Sequence, residues 1–200
     1  MRLYAATGNA GKLREFRLAA EGHGAVEMEL LPGFERIAPC IEDGLTFEEN
    51  AVRKALYYGR HAPGLLFADD SGLEVEALDD APGIYSARFS GPNATDDDNN
   101  RLLLEKLRGI ENRAARFVCV IALVEGEVVR GTFKGAVGGE ILREPRGAGG
   151  FGYDPLFYFA PLGCTFGELT ADRKLRVSHR GQALRAMLES LPGAEERGGK

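Results

Sequence analysis

Two neighbouring carboxylates, Asp69 and Asp70, close an apolar run that begins at Leu65. Adjacent aspartates exposed at the end of a strand repel each other unless a cation or a base lies beside them. Magnesium takes oxygen ligands and commonly links one or two carboxylates to phosphates, so the pair is a candidate cation site, with Glu42 and Glu49 as further acidic candidates. A solvated acidic turn accounts for the same two residues, and Ser71-Gly72 suits either reading.

A second candidate is Thr7-Gly8-Asn9-Ala10-Gly11-Lys12, between a short apolar segment and an amphipathic one. Glycines let a backbone close on an anion, a helix start offers unpaired N–H groups, and Lys12 adds a charge. The segment is not a Walker A motif, which needs four residues between its glycines and a Ser or Thr after the lysine, whereas Leu13 follows Lys12. A phosphate loop and an ordinary strand-to-helix turn both fit.

Gly147, Gly149 and Gly152 match a dinucleotide-binding glycine pattern, but Pro155 follows too soon for the helix that pattern requires. The stretch reads instead as a flexible loop carrying Phe151, Tyr153 and Asp154, whose aromatics either stack on a base or fill core. Lys174 and then Ser178-His179-Arg180-Gly181 place cations near a helix start, where the dipole disfavours them. A bound anion would offset that cost; a surface helix end with a salt bridge is the alternative. His23 and His61 have no ligand spacing.

The elements that must hold these residues can be read from periodicity and punctuation. A strand over 2–6 leads into a helix over 12–20, and a strand over 26–31 follows. Thr46-Phe47-Glu48-Glu49 is a capping box opening a helix to about Arg60. Leu65–Ala68 is a buried strand with the aspartates at its C-terminal end, and a short strand over 73–77 comes next. Thr95 and Asp98 cap a helix over 96–107; the stretches 116–124 and 127–137 alternate as a hairpin around Glu125-Gly126; the last helix, over 179–190, is entered through Ser178. Helices and strands mix without strict alternation, so the expected fold is mixed α/β with a mixed sheet.

Composition narrows the classes. With 200 residues the chain fits one domain, or one domain with two lobes. Cys40, Cys119 and Cys164 lie far apart with no C-x-x-C spacing, against a disulfide framework or zinc site. A net charge of −5 without a basic stripe makes a polynucleotide a poor partner, while small anions stay possible. The apolar run at the N-terminus is short for a signal peptide and no later run reaches membrane-spanning length, so the expectation is a cytoplasmic protein with a domain over 1–192 and a frayed tail over 193–200.

Taken in order, the motifs resemble the inosine triphosphate pyrophosphatase family, also called the dITP/XTP pyrophosphatases. The matching blocks are Ala6 to Lys12; Asp43 to Ala51 with Lys54; Ala68 to Leu73; Ala81 to Phe89; Gly149 to Pro155; and Ser178 to Leu184. The resemblance implies an elongated central mixed sheet, two lobes around a substrate cleft, and a homodimer. It implies water attack on the α-phosphorus of ITP, dITP or XTP, giving the monophosphate and pyrophosphate with Mg2+ as cofactor. By the same resemblance Asp70 is the general base and a metal ligand, with Asp69 beside it. The loop of Thr7, Gly8, Asn9, Ala10, Gly11 and Lys12 holds phosphates together with Lys54 and Lys174, and Ser71 contacts substrate. Phe151, Gly152, Tyr153 and Asp154, with His179 and Arg180, recognise the base.

Two departures bear on those roles. The family's paired acidic residues ahead of Thr46 are Ile41-Glu42 here, so either Glu42 substitutes as metal ligand or the metal leans on Asp69, Asp70 and the phosphates. Before Lys174 the usual Glu-Glu is Asp172-Arg173. The alternatives carried forward are a pyrophosphatase with another base preference, such as modified pyrimidines, and a catalytically silent nucleotide binder.

Overall fold

The computed structural model describes residues 1–21, 23 and 26–191; the tail expected over 193–200 lies outside them. In chain order the elements are β1 (Arg2–Ala5), α1 (Ala10–Glu21), β2 (Glu27–Leu30), α2 (Phe47–Gly59), β3 (Leu65–Val75), α3 (Asp96–Lys106), β4 (Ala114–Glu125), β5 (Val128–Ile141), β6 (Phe157–Phe159), β7 (Cys164–Thr165), α4 (Ala171–Val177) and α5 (His179–Glu189). The strands form one mixed seven-stranded sheet in the order β2-β1-β3-β4-β5-β6-β7. β1 runs parallel to β2 and β3, as strand–helix–strand connections dictate, whereas β6 is antiparallel to β5 and β7.

The chain divides into two compact units, and β3, β4 and β5 each pass from one into the other. Among the described residues the first comprises 1–70, 119–135 and 180–191. Its core gathers Leu3, Ala5, Phe16, Ala51, Ala55, Leu66, Phe67 and Leu184, all at most 1% exposed, with Phe16 edge-on to Phe67 at 4.9 Å between centroids. The second comprises 71–118 and 136–179. Its core is a cluster of Leu73, Leu103, Phe117, Leu156, Phe157 and Phe166 with their neighbours. Burying each such large side chain contributes roughly 1.5–3 kcal/mol.

Several local signals act as their chemistry requires. Thr95 and Asp98 form a full capping box at the start of α3. Thr46 accepts the Glu49 N–H, but Glu49 turns its carboxylate to the Leu45 N–H at 2.7 Å, so only half of the expected box forms. The β4–β5 turn is Gly126-Glu127, with Gly126 at φ 59 in the place where a two-residue hairpin favours glycine.

Three sequence expectations are corrected here. β3 does not stop before the aspartates; it runs unbroken through Asp69 and Asp70 to Val75. β4 does not alternate, because from Phe117 to Val124 every residue is buried, the pattern of a strand in the middle of a sheet with both faces covered. α1 begins at Ala10 and not Lys12, because Asn9 caps it: the Asn9 Oδ1 accepts the Lys12 N–H at 3.0 Å. Helix α4 and strands β6 and β7, too short for a periodic signal, were not anticipated.

Candidate active site

In the first unit, β3 carries Asp69 and Asp70 into a group of cations, and burial fixes the electrostatics. Asp69 is 2% exposed. Its Oδ2 lies 2.9 Å from the Lys12 Nζ and 3.4 Å from the Arg180 Nε. Burial alone would raise its pKa, but Lys12, Arg180 and Lys54 overcome that and hold the carboxyl well below the usual carboxylate range. Lys12 reaches it from the first turn of α1. Arg180 reaches it from the first turn of α5 and gives its Nη1 to the buried Glu15 of α1 at 2.6 Å.

Asp70 stands in a different environment. Lys54 on α2 bonds Glu42 at 2.7 Å and lies 3.7 Å from the Asp70 Oδ1. The Asp70 Oδ2 is buried with no hydrogen-bond partner among the described residues. Burial pushes the Asp70 pKa up; Lys54 and Lys12 only partly offset this, and Glu42 and Asp69 add to the rise. Burial opposes the Lys54 charge, yet Asp70, Glu42 and Asp69 raise its pKa overall. The two adjacent carboxyls therefore diverge: Asp69 is a stabilised anion, whereas Asp70 holds its proton more tightly than an ordinary aspartate. The segment bearing Glu42 is tied down by Asn50, one turn before Lys54, whose Oδ1 accepts the Gly44 N–H at 2.9 Å. Ile41 is 75% exposed.

The second unit gathers the other candidates. Asp154 accepts from the Phe151 N–H at 2.8 Å and from the Lys174 Nζ at 2.5 Å, both partners of the ion pair being buried. Lys174 also sits over the half-buried Phe151 ring, 4.5 Å from its centroid. Gly150 makes this possible: it adopts φ 74, and a Cβ there would meet the Asp154 Oδ2 at 2.1 Å. Tyr153 is buried and gives its hydroxyl to the Ser86 carbonyl at 2.9 Å, and burial pushes its phenol pKa up. His179 is buried and stacks on Phe117 at 4.7 Å. Ser71 continues β3 directly after Asp70.

The expectation of exposed aspartates is corrected, and of the two readings of the cations near the α5 start the salt-bridged one holds, though buried and not at the surface. Asp69 and Asp70 are buried, and the chain's own carboxylates balance its cations: Glu15 and Asp69 for Arg180, Asp154 for Lys174. Within 7–12, Thr7 to Asn9 form the turn, the Thr7 Oγ1 accepting the Asn9 N–H at 3.1 Å, whereas Ala10, Gly11 and Lys12 are the first turn of α1. Tyr153 belongs to the core, which leaves Phe151 as the aromatic with accessible ring surface. Glu49 is committed to the start of α2.

Sequence reasoning missed Glu15 and Cys119. Glu15 could have been found, because it interrupts the stripe of Gly11, Phe16 and Ala20 that α1 buries, and a carboxylate there requires a cation. Cys119, whose Sγ lies 3.9 Å from the Asp69 Oδ2 inside β4, left no signal beyond its apolar neighbours. Burial beside Asp69 pushes its thiol pKa up, away from reactivity.

Whether a magnesium ion suits these residues turns on Asp70. Its unpartnered Oδ2 is a hard oxygen donor, and Glu42 adds a second carboxylate nearby through Lys54. Among the described residues no three acidic, histidine or cysteine side chains converge as a ready-made cage. That fits an ion held by one or two carboxylates and completed by substrate phosphates. Asp69, with Lys12 and Arg180 on one oxygen, suits charge balance better than ligation.

The chain matches the model of the Ham1 family over residues 3–190. It is 51% identical over 200 residues to a protein of Acidobacterium capsulatum named dITP/XTP pyrophosphatase, covering 96% of this chain and 98% of that one. It is 52% identical over 182 residues to a protein of Syntrophobacter fumaroxidans with the same name, covering 91% and 78%. The solved structure of the Staphylococcus aureus Ham1 protein superposes with a TM-score of 0.82 at 37% identity, over 94% of this chain and 96% of that one. With the family model matched over residues 3–190, relatives about half identical over most of the chain and a solved Ham1 protein of the same fold, this chain belongs to the Ham1 family.

Proposed function

We propose that this protein hydrolyses non-standard purine nucleoside triphosphates, ITP, dITP and XTP, to the monophosphate and pyrophosphate, removing them from the nucleotide pool. The observation that carries the reaction is Asp70: a buried carboxylate, raised in pKa, with one oxygen unpartnered and Lys12 and Lys54 close to it. The purine preference draws its support from relatives of this length named dITP/XTP pyrophosphatase.

In this reading Asp70 accepts a proton from the attacking water as its oxygen bonds the α-phosphorus, and the α–β bridging oxygen leaves with pyrophosphate. Lys12, Lys54 and the turn of Thr7, Gly8 and Asn9 with the α1 start hold the phosphates; positioning and charge neutralisation supply most of the catalysis in phosphoryl transfer. Asp70 and Glu42 would hold Mg2+, and the chemistry supplied with the ion bound is polarisation of phosphate and a lowered pKa for water. Base recognition falls to Phe151, Gly152, Asp154 and His179, with Ser71 against the substrate. Lys174 and Arg180 act through the carboxylates they neutralise. Donors aimed at a 6-oxo group would be left unpaired by adenine, at about 1–3 kcal/mol each. Guanine shares the 6-oxo group, so its exclusion turns on the 2-amino group or on the shape of the pocket.

The setting we propose is a cytoplasmic homodimer. The three thiols are free, and among the described residues no helix is long and apolar enough to cross a membrane. The test is incubation with ITP, ATP and GTP in Mg2+, with products separated by chromatography. IMP and pyrophosphate, with ATP and GTP largely spared, is the expected result. IDP with orthophosphate would mean attack at the γ-phosphorus, and tight binding without turnover would mean a silent binder; either overturns the proposal.

A further inference from the structure

The loop over 147–154 has little stiffness of its own, since Gly147, Gly150 and Gly152 all adopt positive φ, at 81, 74 and 61 degrees. Discrimination by hydrogen bonds needs its donors fixed to fractions of an ångström, so rigidity must come from elsewhere. It comes from α3. The Gly152 N–H donates to the Asp96 Oδ2 at 2.6 Å, and the Gly152 carbonyl accepts from the Asn100 Nδ2 at 2.9 Å. Asp96 and Asn100 are four residues apart and share one helix face, so a single element grips both polar groups of one residue. Because a carbonyl only accepts, the grip also orients the Asn100 amide, and its Oδ1 is left buried with no partner among the described residues.

The helix end that supplies the grip is itself anchored. The capping box of Thr95 and Asp98 sets its start. Asn99 then accepts from both the N–H and the hydroxyl of Ser90 at 2.9 and 3.0 Å. A helix that served only to fill core would need Leu103 but not a carboxylate on a loop amide.

We infer that Asp96 and Asn100 are positioning residues for base discrimination, locking the Gly152 backbone and with it the presentation of Phe151 and Asp154. This rests on the assignment of residues 151–154 to the base. They touch the loop, not the substrate, and act through it.

The experiment compares Asp96→Ala, Asp96→Asn, Asn100→Ala and, as control, Asp97→Ala. Asp97 is an exposed acidic residue of the same helix turn, so its loss removes the same charge from the helix start. ITP and GTP are titrated into 15N-labelled protein for Kd, kcat and KM are measured for both, and exchange of the Gly152 amide is followed by NMR. Asp96→Ala and Asn100→Ala should each narrow the preference for ITP over GTP about tenfold, through Kd and KM more than kcat, as expected for a lost hydrogen bond to a charged or buried partner. Asp96→Asn keeps an accepting oxygen and should restore most of the preference; Asp97→Ala should match the wild type. Faster Gly152 exchange should accompany every loss. A wild-type preference left intact in Asp96→Ala, or equally reduced in Asp97→Ala, overturns the inference. A wild type that does not distinguish ITP from GTP overturns the base assignment instead, and so removes the inference's premise.

Discussion

Replacing Arg180 with alanine removes the cation shared by two buried carboxylates, and the geometry sets the size of the loss. The guanidinium stands 2.6 Å from Glu15 and 3.4 Å from Asp69, with side-chain exposures of 3% for Arg180, 6% for Glu15 and 1% for Asp69. Asp69 keeps Lys12 at 2.9 Å, and Glu15 loses the closer of the two contacts with Arg180. Removing one member of a buried pair typically costs about 3–5 kcal/mol, a large part of the roughly 5–15 kcal/mol that holds a domain folded. With a urea m-value near 2 kcal/mol/M, the midpoint should fall by about 2 M.

The pH dependence gives that prediction its signature. In the wild type the folded pKa of Asp69 is depressed: burial would raise it, but Lys12 and Arg180 prevail. Its stabilisation is therefore full above the unfolded value of about 3.9 and is lost as pH falls through the lower folded value. Without Arg180, burial regains ground at Asp69 and its folded pKa rises. The deficit relative to wild type should then be greatest near neutrality and shrink as pH falls through the raised folded value of Asp69. Urea unfolding followed by circular dichroism at several pH values is the assay. A deficit under about 1 kcal/mol, or one that does not change with pH, would refute the claim that Arg180 is there chiefly to balance buried carboxylates.

Three further outcomes are expected. Asp70→Asn should lower kcat by about 10²–10⁴-fold. Because the folded Asp70 pKa is raised, its ionised form costs stability as pH climbs past the unfolded value, so the amide should leave thermal stability at pH 7.5 equal or higher; unimpaired turnover would remove Asp70 from the base role. Lys12→Ala should raise KM for ITP far more than it lowers kcat, and an unchanged KM would take Lys12 off the phosphates. Gly150→Ala forces a side chain into φ 74 and onto Asp154, so it should destabilise by about 1–3 kcal/mol in urea unfolding; a neutral result would mean that the Asp154–Lys174 pair tolerates displacement.

The elements with local chemistry are legible in the sequence alone. Thr95 and Asp98 announced α3, Thr46 the start of α2, and Gly126 the hairpin turn, because caps and turns act over a few residues. Asp70, Lys12 and Lys54 were legible as a group only through their motifs, and the structure brings them together with Glu42. Short elements escaped notice: β6, β7 and the seven residues of α4 have no room for a periodic pattern. So did the grip of Asp96 and Asn100 on Gly152, since helix spacing puts two side chains on one face without saying what that face meets.

By itself the sequence determined the family, the mixed α/β class and the residue types available for phosphate and proton chemistry, because these reside in local order and spacing. The tertiary structure decided which charges cancel. Asp69 and Asp70 are chemically identical neighbours, yet strand alternation sends one toward Lys12 and Arg180 and the other toward Lys54 with an oxygen unpartnered. Burial then turns those few ångströms into pKa shifts of opposite sign, and that divergence depends on helices that meet β3 from distant parts of the chain.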